Sequence, residues 1–263
     1  MVRPLLPGGG RPYLCACIVP KNLTYFVSDV HLGLQVGDPA VRENAFVAFL
    51  QGIDPAQTEA LYLLGDIWDF WYEYRDVVPK GYVRVLAALV ALMDAGVQVY
   101  FFRGNHDIWT YSYFEELGMR RLEQPQVVQI GTEKFCLGHG DGLGPGMRGY
   151  KFMRGIFHNR FLQICFSSLH PWFAFRLGNG WSRRSRLGKN ITYRFKGTAE
   201  PLYQFCEAFP EPVQYFIFGH YHAQVDMPVG NKARLVLLGD WITAPNWLVY
   251  DAETCKLCSC NGR

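Results

Sequence analysis

Two hydrophobic periods alternate along the first hundred residues. Residues 23–28, 60–64 and 97–102 are short, β-rich apolar runs of the length expected for buried strands. Between them, residues 42–51 and 81–95 carry apolar positions at helical spacing, the second stretch stopped by Gly96. Later strand-like runs fall at 126–130, 134–137, 214–218, 234–238 and 247–250. Strands alternating with helices, then strands at turn-like spacing, predict α/β layering with a second, mainly antiparallel sheet.

The rhythm breaks between residues 137 and 214. Residues 149–169 place Phe152, Ile156, Phe157, Phe161, Ile164 and Cys165 at roughly helical spacing. Pro171 interrupts, and residues 172–186 predict a second helix that Gly178 and Gly180 weaken. Two short helices joined by a turn would form a cap on the body.

Charge marks the same segment. Residues 142–199 contain no Asp or Glu but 11 Lys and Arg, with 11 aromatic residues among them. That stretch carries +11, and the remainder, with 15 basic and 23 acidic residues, carries −8, which together give the chain's +3. A basic, aromatic element is therefore set into an acidic body. The 49% apolar content excludes intrinsic disorder. The longest clean apolar run, residues 85–93, is nine residues, against roughly 20 for a membrane span.

The first 23 residues are rich in Pro and Gly and read as a flexible extension. Their apolar stretch, residues 14–19, is six residues long, short of the roughly 7 of a signal peptide. Leu14-Cys15-Ala16-Cys17 resembles a lipoprotein cleavage site but lacks that stretch. The eight cysteines read as reduced thiols. A zinc site from Cys255, Cys258, Cys260 and a fourth ligand is the alternative.

Five short motifs end apolar runs: Asp29-Val30-His31, Gly65-Asp66, Gly104-Asn105-His106-Asp107, Gly138-His139-Gly140-Asp141 and Gly219-His220-Tyr221-His222. Strand ends of layered α/β folds are where sites assemble. Each motif offers hard oxygen or imidazole donors, and ligands two residues apart share one face of an extended segment. Five of the seven histidines lie inside these motifs. Alone, each has an ordinary explanation: a strand-end Asp is a turn former, and Asp107 could cap a helix beginning at Ile108. Together and in order they suggest a metal centre. Two divalent ions about 3.5–4 Å apart clamp the attacking and leaving oxygens of a phosphoryl transfer and lower the pKa of a shared water.

The motifs resemble the calcineurin-like metallophosphoesterase family, whose pattern is D-x-H, G-D, G-N-H-D, G-H and G-H-x-H, over about residues 24–250. That resemblance implies a four-layer α/β/β/α sandwich, here spanning residues 24–263, with a helical cap inserted at about 145–197. It implies one metal on Asp29, His31 and His222, another on Asn105, His139 and His220, and Asp66 bridging them. It also implies that His106 contacts the substrate phosphate or leaving oxygen, with Asp107 orienting it. Fe or Zn²⁺ would suit these donors, and the resemblance favours Mn²⁺.

In finer detail the chain resembles the UDP-2,3-diacylglucosamine diphosphatases of lipid A synthesis, through the position of the cap and Gly149-Tyr150 after His-Gly-Asp. The implied substrate contacts are Asn105, His106, His220, Ser182, Arg186 and Lys189. Arg186 stands where that family commonly has Asn, Met147 where Asp is usual, and His106 where many members have Arg. The implied partners are a lipid-linked sugar nucleotide and the anionic inner-leaflet surface, with neither nucleic acid nor an obligate protein partner. The implied location is cytoplasmic, peripheral to the inner membrane. Phe152, Ile156, Phe157, Phe161, Trp172, Phe173 and Phe175 could line an acyl slot, and the arginines could meet phosphates. The alternative is a phosphoesterase for nucleic acid or soluble nucleotides, whose bases the cap aromatics would stack.

Overall fold

The computed structural model describes residues 21–187 and 194–262, without the side chains of 179 and 181–187. Residues 1–20 of the expected extension, with Cys15, Cys17 and the lipoprotein-like motif, lie outside the described residues. Its last residue, Leu23, already opens a strand.

One sheet has the parallel strands β1 (Leu23–Val27), β2 (Thr58–Leu63), β3 (Gln98–Phe102) and β4 (Arg120–Leu122). The other has β5 (Gln126–Ile130), β6 (Glu133–Leu137), β7 (Tyr215–Phe218), β8 (Gln224–Val229) and β9 (Ala233–Leu238) in the order β5-β6-β7-β9-β8. Antiparallel strands β10 (Asn246–Asp251) and β11 (Lys256–Asn261) extend the first sheet from β1. The second sheet is mixed: β6, β7 and β9 are parallel, and only β5 and β8 run against their neighbours. The long crossover between β6 and β7 permits the parallel pairing, which a hairpin cannot make.

The strands read as unbroken apolar runs because both faces are covered. Phe26, Tyr62, Leu64 and Phe102 of the first sheet meet Phe135, Leu137, Ile217, Val236 and Leu238 of the second. The alternate residues Val27, Leu61, Leu63, Val99 and Phe101 face α1 (Pro39–Gly52) and α2 (Val83–Asp94). Asp38 caps α1 by accepting the Ala40 N–H at 2.9 Å, and Gly96 ends α2 at φ 85°. A short helix α3 (Tyr113–Glu116) follows β3. On the far face of the second sheet, Leu202, Tyr203 and Cys206 of the helix at Pro201–Glu207 pack against Phe216, Phe218, Leu235 and Leu237. The layers are thus α/β/β/α.

The cap has three helices where the sequence predicts two: α4 (Arg148–His158), α5 (Arg160–Ser167) and α6 (Pro171–Leu187). The break falls at Asn159, which adopts extended angles and accepts the Leu162 N–H at 3.1 Å. An Asn side chain competes with the helix for backbone partners and is favoured at an N-cap. Gly178 does not weaken α6 idly, because a Cβ there would lie 2.2 Å from the Phe70 ring. The helix rests directly on the core loop. Among the described residues, no helix is long and apolar enough to cross a membrane.

Candidate metal centre

The five motifs follow β1, β2, β3, β6 and β7 and converge at the strands' C-terminal ends. Backbone bonds stitch the loops together. Asp29 N–H donates to Gly65 O (3.1 Å), His31 N–H to Asp66 O (3.0 Å) and Gly219 N–H to His139 O (3.0 Å). The Asp-x-His and His-x-His pairs do not take the extended backbone that their spacing predicts. Asp29, His31, Asp66, His220 and His222 all have left-handed backbone, with φ between 50° and 69°. Each such residue costs on the order of 1–3 kcal/mol, and such strain clusters at functional sites. Two motif glycines are needed for approach. A Cβ on Gly104 would sit 2.1 Å from Asp66 Oδ1, and one on Gly219 would sit 2.2 Å from Asp29 Oδ2.

The donors form two groups. Asp29 Oδ1 lies 3.7 Å from His31 Nε2 and 3.6 Å from His222 Nε2. Asn105 Oδ1 lies 3.2 Å from His139 Nε2 and 2.8 Å from His220 Nδ1. Asp66 Oδ2 stands between, 3.9 Å from His31 Nε2 and 3.4 Å from His139 Nε2. Tetrahedral ligands about 2.1 Å from one ion are about 3.4 Å apart, so both groups have the spacing of ion-binding sets. Each carboxylate spends one oxygen on a backbone N–H: Asp29 Oδ2 accepts from His220 (2.9 Å) and Asp66 Oδ1 from His106 (2.8 Å). The other oxygen faces the imidazoles. Among the described residues, Asp29 Oδ1 is buried with no hydrogen-bond partner, a costly state that a cation relieves.

The electrostatics also call for positive charge. Burial alone would raise the Asp66 carboxyl, yet His139, His106 and His31 hold it well below the usual carboxylate range. Asp29 likewise sits at about 2, the imidazoles of His31, His139 and His222 outweighing its burial. Burial would lower His139, but Asp66 pulls it well above its ordinary value. His220 is driven down to about 4 by burial and by His139, which suits a neutral imidazole ligand. His139 Nδ1–H donates to Leu64 O at 2.9 Å, which aims Nε2 at the donor group.

The family resemblance implies that Asp107 orients His106, but the structure gives the two different partners. Asp107 is fully buried, and its carboxylate accepts the Gly104 N–H (2.7 Å) and the Ile67 N–H (2.9 Å). Burial and the charge of Asp66 push it up to about 7. No helix starts at Ile108, so Asp107 clamps two loops rather than capping a helix. The partner of His106 is Asp69, whose carbonyl accepts the Nδ1–H at 2.9 Å. Asp69 Oδ1 also lies 3.5 Å from His31 Nδ1. Asp240 does the same for His222, with Oδ2 3.2 Å from Nδ1. The sequence reasoning missed both. The available signals were Asp69 in Gly65-Asp66-x-x-Asp69 and the strand-end pair Gly239-Asp240 after the apolar run at 234–238.

A cavity of about 460 Å³ opens between this centre and the cap. Asp69, Asn105, His106 and His220 form its polar end, and Trp109, Ile156, Phe157, Leu162 and Phe166 line its apolar part. Phe175 packs edge-on against Phe70. The other aromatics of the expected acyl slot point outward: Phe152 and Phe161 are 70% and 71% exposed, and Trp172 and Phe173 each 56%. Ser182 and Arg186 fall in residues 181–187 of α6, whose side chains are not described, and Lys189 lies outside the described residues. Among the described residues, no group of three or more close metal donors includes Cys255, Cys258 or Cys260.

The profile of the calcineurin-like phosphoesterases matches residues 24–224. The chain belongs to that family. This calcineurin-like phosphoesterase also resembles three bacterial proteins named UDP-2,3-diacylglucosamine hydrolase. That of Porphyromonas gingivalis is 35% identical over 257 residues, covering 90% of this chain and 97% of the relative. That of Proteus mirabilis is 33% identical over 242 residues, covering 89% and 97%. That of Serratia proteamaculans is 30% identical over 240 residues, again covering 89% and 97%. The family and the clustered donors make this phosphoesterase a metal-dependent hydrolase.

Proposed function

We propose that the chain hydrolyses the pyrophosphate of UDP-2,3-diacylglucosamine, giving UMP and 2,3-diacylglucosamine 1-phosphate for lipid A synthesis. The observation that carries this is the cavity, polar at the donor groups and apolar beneath the cap. A soluble nucleotide would leave its apolar part unused, whereas an acyl chain fills it. The names and near-full-length coverage of the relatives support the same substrate.

In this reading Asp29, His31 and His222 hold one divalent ion, Asn105, His139 and His220 hold another, and Asp66 is shared; Mn²⁺ is the proposed metal. Two such ions supply Lewis acidity to phosphoryl oxygens and a water acidic enough to attack near neutral pH. His106 sits at the mouth with Nδ1–H fixed on the Asp69 carbonyl. Its Nε2 therefore handles the proton, stabilising charge or donating to the leaving oxygen. Asn105 and His220 border the cavity and orient the phosphate beside it. Asp69 and Asp240 keep their imidazoles in the correct tautomer. Asp107 acts through the loops it clamps. Ser182, Arg186 and Lys189 remain proposed contacts for the sugar nucleotide.

Helices α4–α6 act as a cap domain inserted at about 145–197. Its exposed Phe152, Phe161 and Trp172, with exposed Arg148, Lys151, Arg160 and Arg176 on the same helices, dock the protein on the anionic inner leaflet from the cytoplasm. The deciding experiment compares hydrolysis of the diacylated sugar nucleotide with that of its deacylated form, using Mn²⁺-loaded protein. Turnover should require the acyl chains. Equal turnover of both would sink the assignment.

A further inference from the structure

One set of contacts between the cap and the core ends on an arginine. Asp141 lies two residues after His139 and is 3% exposed. Its Oδ1 accepts from Gln124 Nε2 at 2.6 Å, and Gln124 Oε1 accepts the Gly140 N–H at 2.7 Å. Its Oδ2 accepts the Tyr150 hydroxyl at 2.8 Å and pairs with Arg154 Nε at 3.3 Å. Tyr150 and Arg154 stand one turn apart on α4 and so share a face. Tyr150 also lies edge-on to His220, with ring centres 6.0 Å apart.

Arg154 lines the same cavity as Asn105, His106 and His220, and Asp141 ties it to Tyr150, whose ring lies against His220. Among the described residues its ion pair is with Asp141, made through Nε. A guanidinium bound at Nε still carries four N–H donors on its two terminal nitrogens, in the fork that matches a phosphate.

We propose that Arg154 is a phosphate-binding residue of this site, aimed by Asp141 and delivered by the cap. One of the cap's contacts with the core and phosphate capture then share a carboxylate. Asp141 is a positioning residue, and Arg154 touches the substrate. The inference rests on the phosphoester reading of the centre, but not on the lipid.

The test is calorimetric titration of inorganic phosphate into Mn²⁺-loaded protein, with metal content and melting temperature measured for each variant. Arg154→Ala should bind phosphate at least tenfold more weakly at unchanged metal content. Arg154→Lys, which keeps the charge and stem but not the fork, should be at least threefold weaker and carries the test if the alanine variant does not fold. Asp141→Asn should also weaken binding. Combined with Arg154→Ala it should add nothing, because the two act as one unit. Binding within twofold of wild type in folded, metal-replete Arg154→Ala, or within threefold in Arg154→Lys, would overturn the assignment. A fully additive double variant would overturn the role of Asp141. If wild-type protein fails to cleave the diacylated sugar nucleotide, the substrate assignment falls, and the phosphate titration still decides Arg154.

Discussion

Replacing Asp240 by Asn isolates a contact that controls a proposed metal ligand without being one. Asp240 Oδ1 accepts the N–H groups of Ile242 and Thr243, both at 2.8 Å. Those bonds survive in the amide. Its Oδ2 faces His222 Nδ1 at 3.2 Å, and this bond to the imidazole helps hold the Asp240 carboxyl below its usual value against burial. In Asp240→Asn an NH₂ group replaces that oxygen, so donor faces donor. The imidazole relieves the clash by moving its proton from Nδ1 to Nε2. Nε2 is the atom 3.6 Å from Asp29 Oδ1 in the first donor group, and a protonated nitrogen cannot bind a metal. Loss of such a partner typically costs about 10- to 100-fold in metal affinity. The His222 side chain is 32% exposed and Asp240 9%, so water takes over part of the role and the lower end applies. We expect Mn²⁺ to bind about 10- to 30-fold more weakly, or about 1.4–2 kcal/mol. Titration of the apo protein reads the affinity directly. The apo melting temperature should move by less than about 2 °C, since the loop bonds persist. Mn²⁺ affinity within threefold of wild type would refute the reasoning.

Asp66→Asn removes the one carboxylate charge shared by the two donor groups, and hydrolysis should fall by at least about 100-fold; intact hydrolysis would exclude a shared two-metal centre. Ile156→Trp fills the apolar end of the cavity, so turnover of the diacylated substrate should drop by about tenfold or more while Mn²⁺ affinity stays constant. Phe161→Ser with Trp172→Ser removes two exposed apolar side chains of the proposed membrane face; co-sedimentation with anionic vesicles should weaken by about tenfold, and unchanged binding would refute that face.

The motif residues were legible because their signals are local. Apolar runs of strand length, each ended by Gly, Asp or His, mark strand ends whatever lies beyond them. The helical insertion was legible in the same way, from periodicity and the absence of acids across 142–199. Pairing was not local. His106 meets Asp69, 37 residues away, rather than its neighbour Asp107. Asp107 turns back to Ile67, 40 residues away. His220 reaches Asp29 across 191 residues. Nothing in the sequence ranks these partners, because each depends on which loops the strand order brings together.

The cap shows the same division. Its composition announces a basic, aromatic element, but only the tertiary packing separates Ile156 and Phe157, which line the cavity, from Phe152 and Phe161, which face solvent. A helical repeat specifies faces, and the neighbour that a face meets is decided in three dimensions. The sequence by itself determined the layered fold and the chemical character of the centre, since strand length, helical period and donor type are written residue by residue. The tertiary structure alone decided which carboxylate orients which imidazole and which aromatics enclose the cavity. Both depend on contacts between segments distant in the chain.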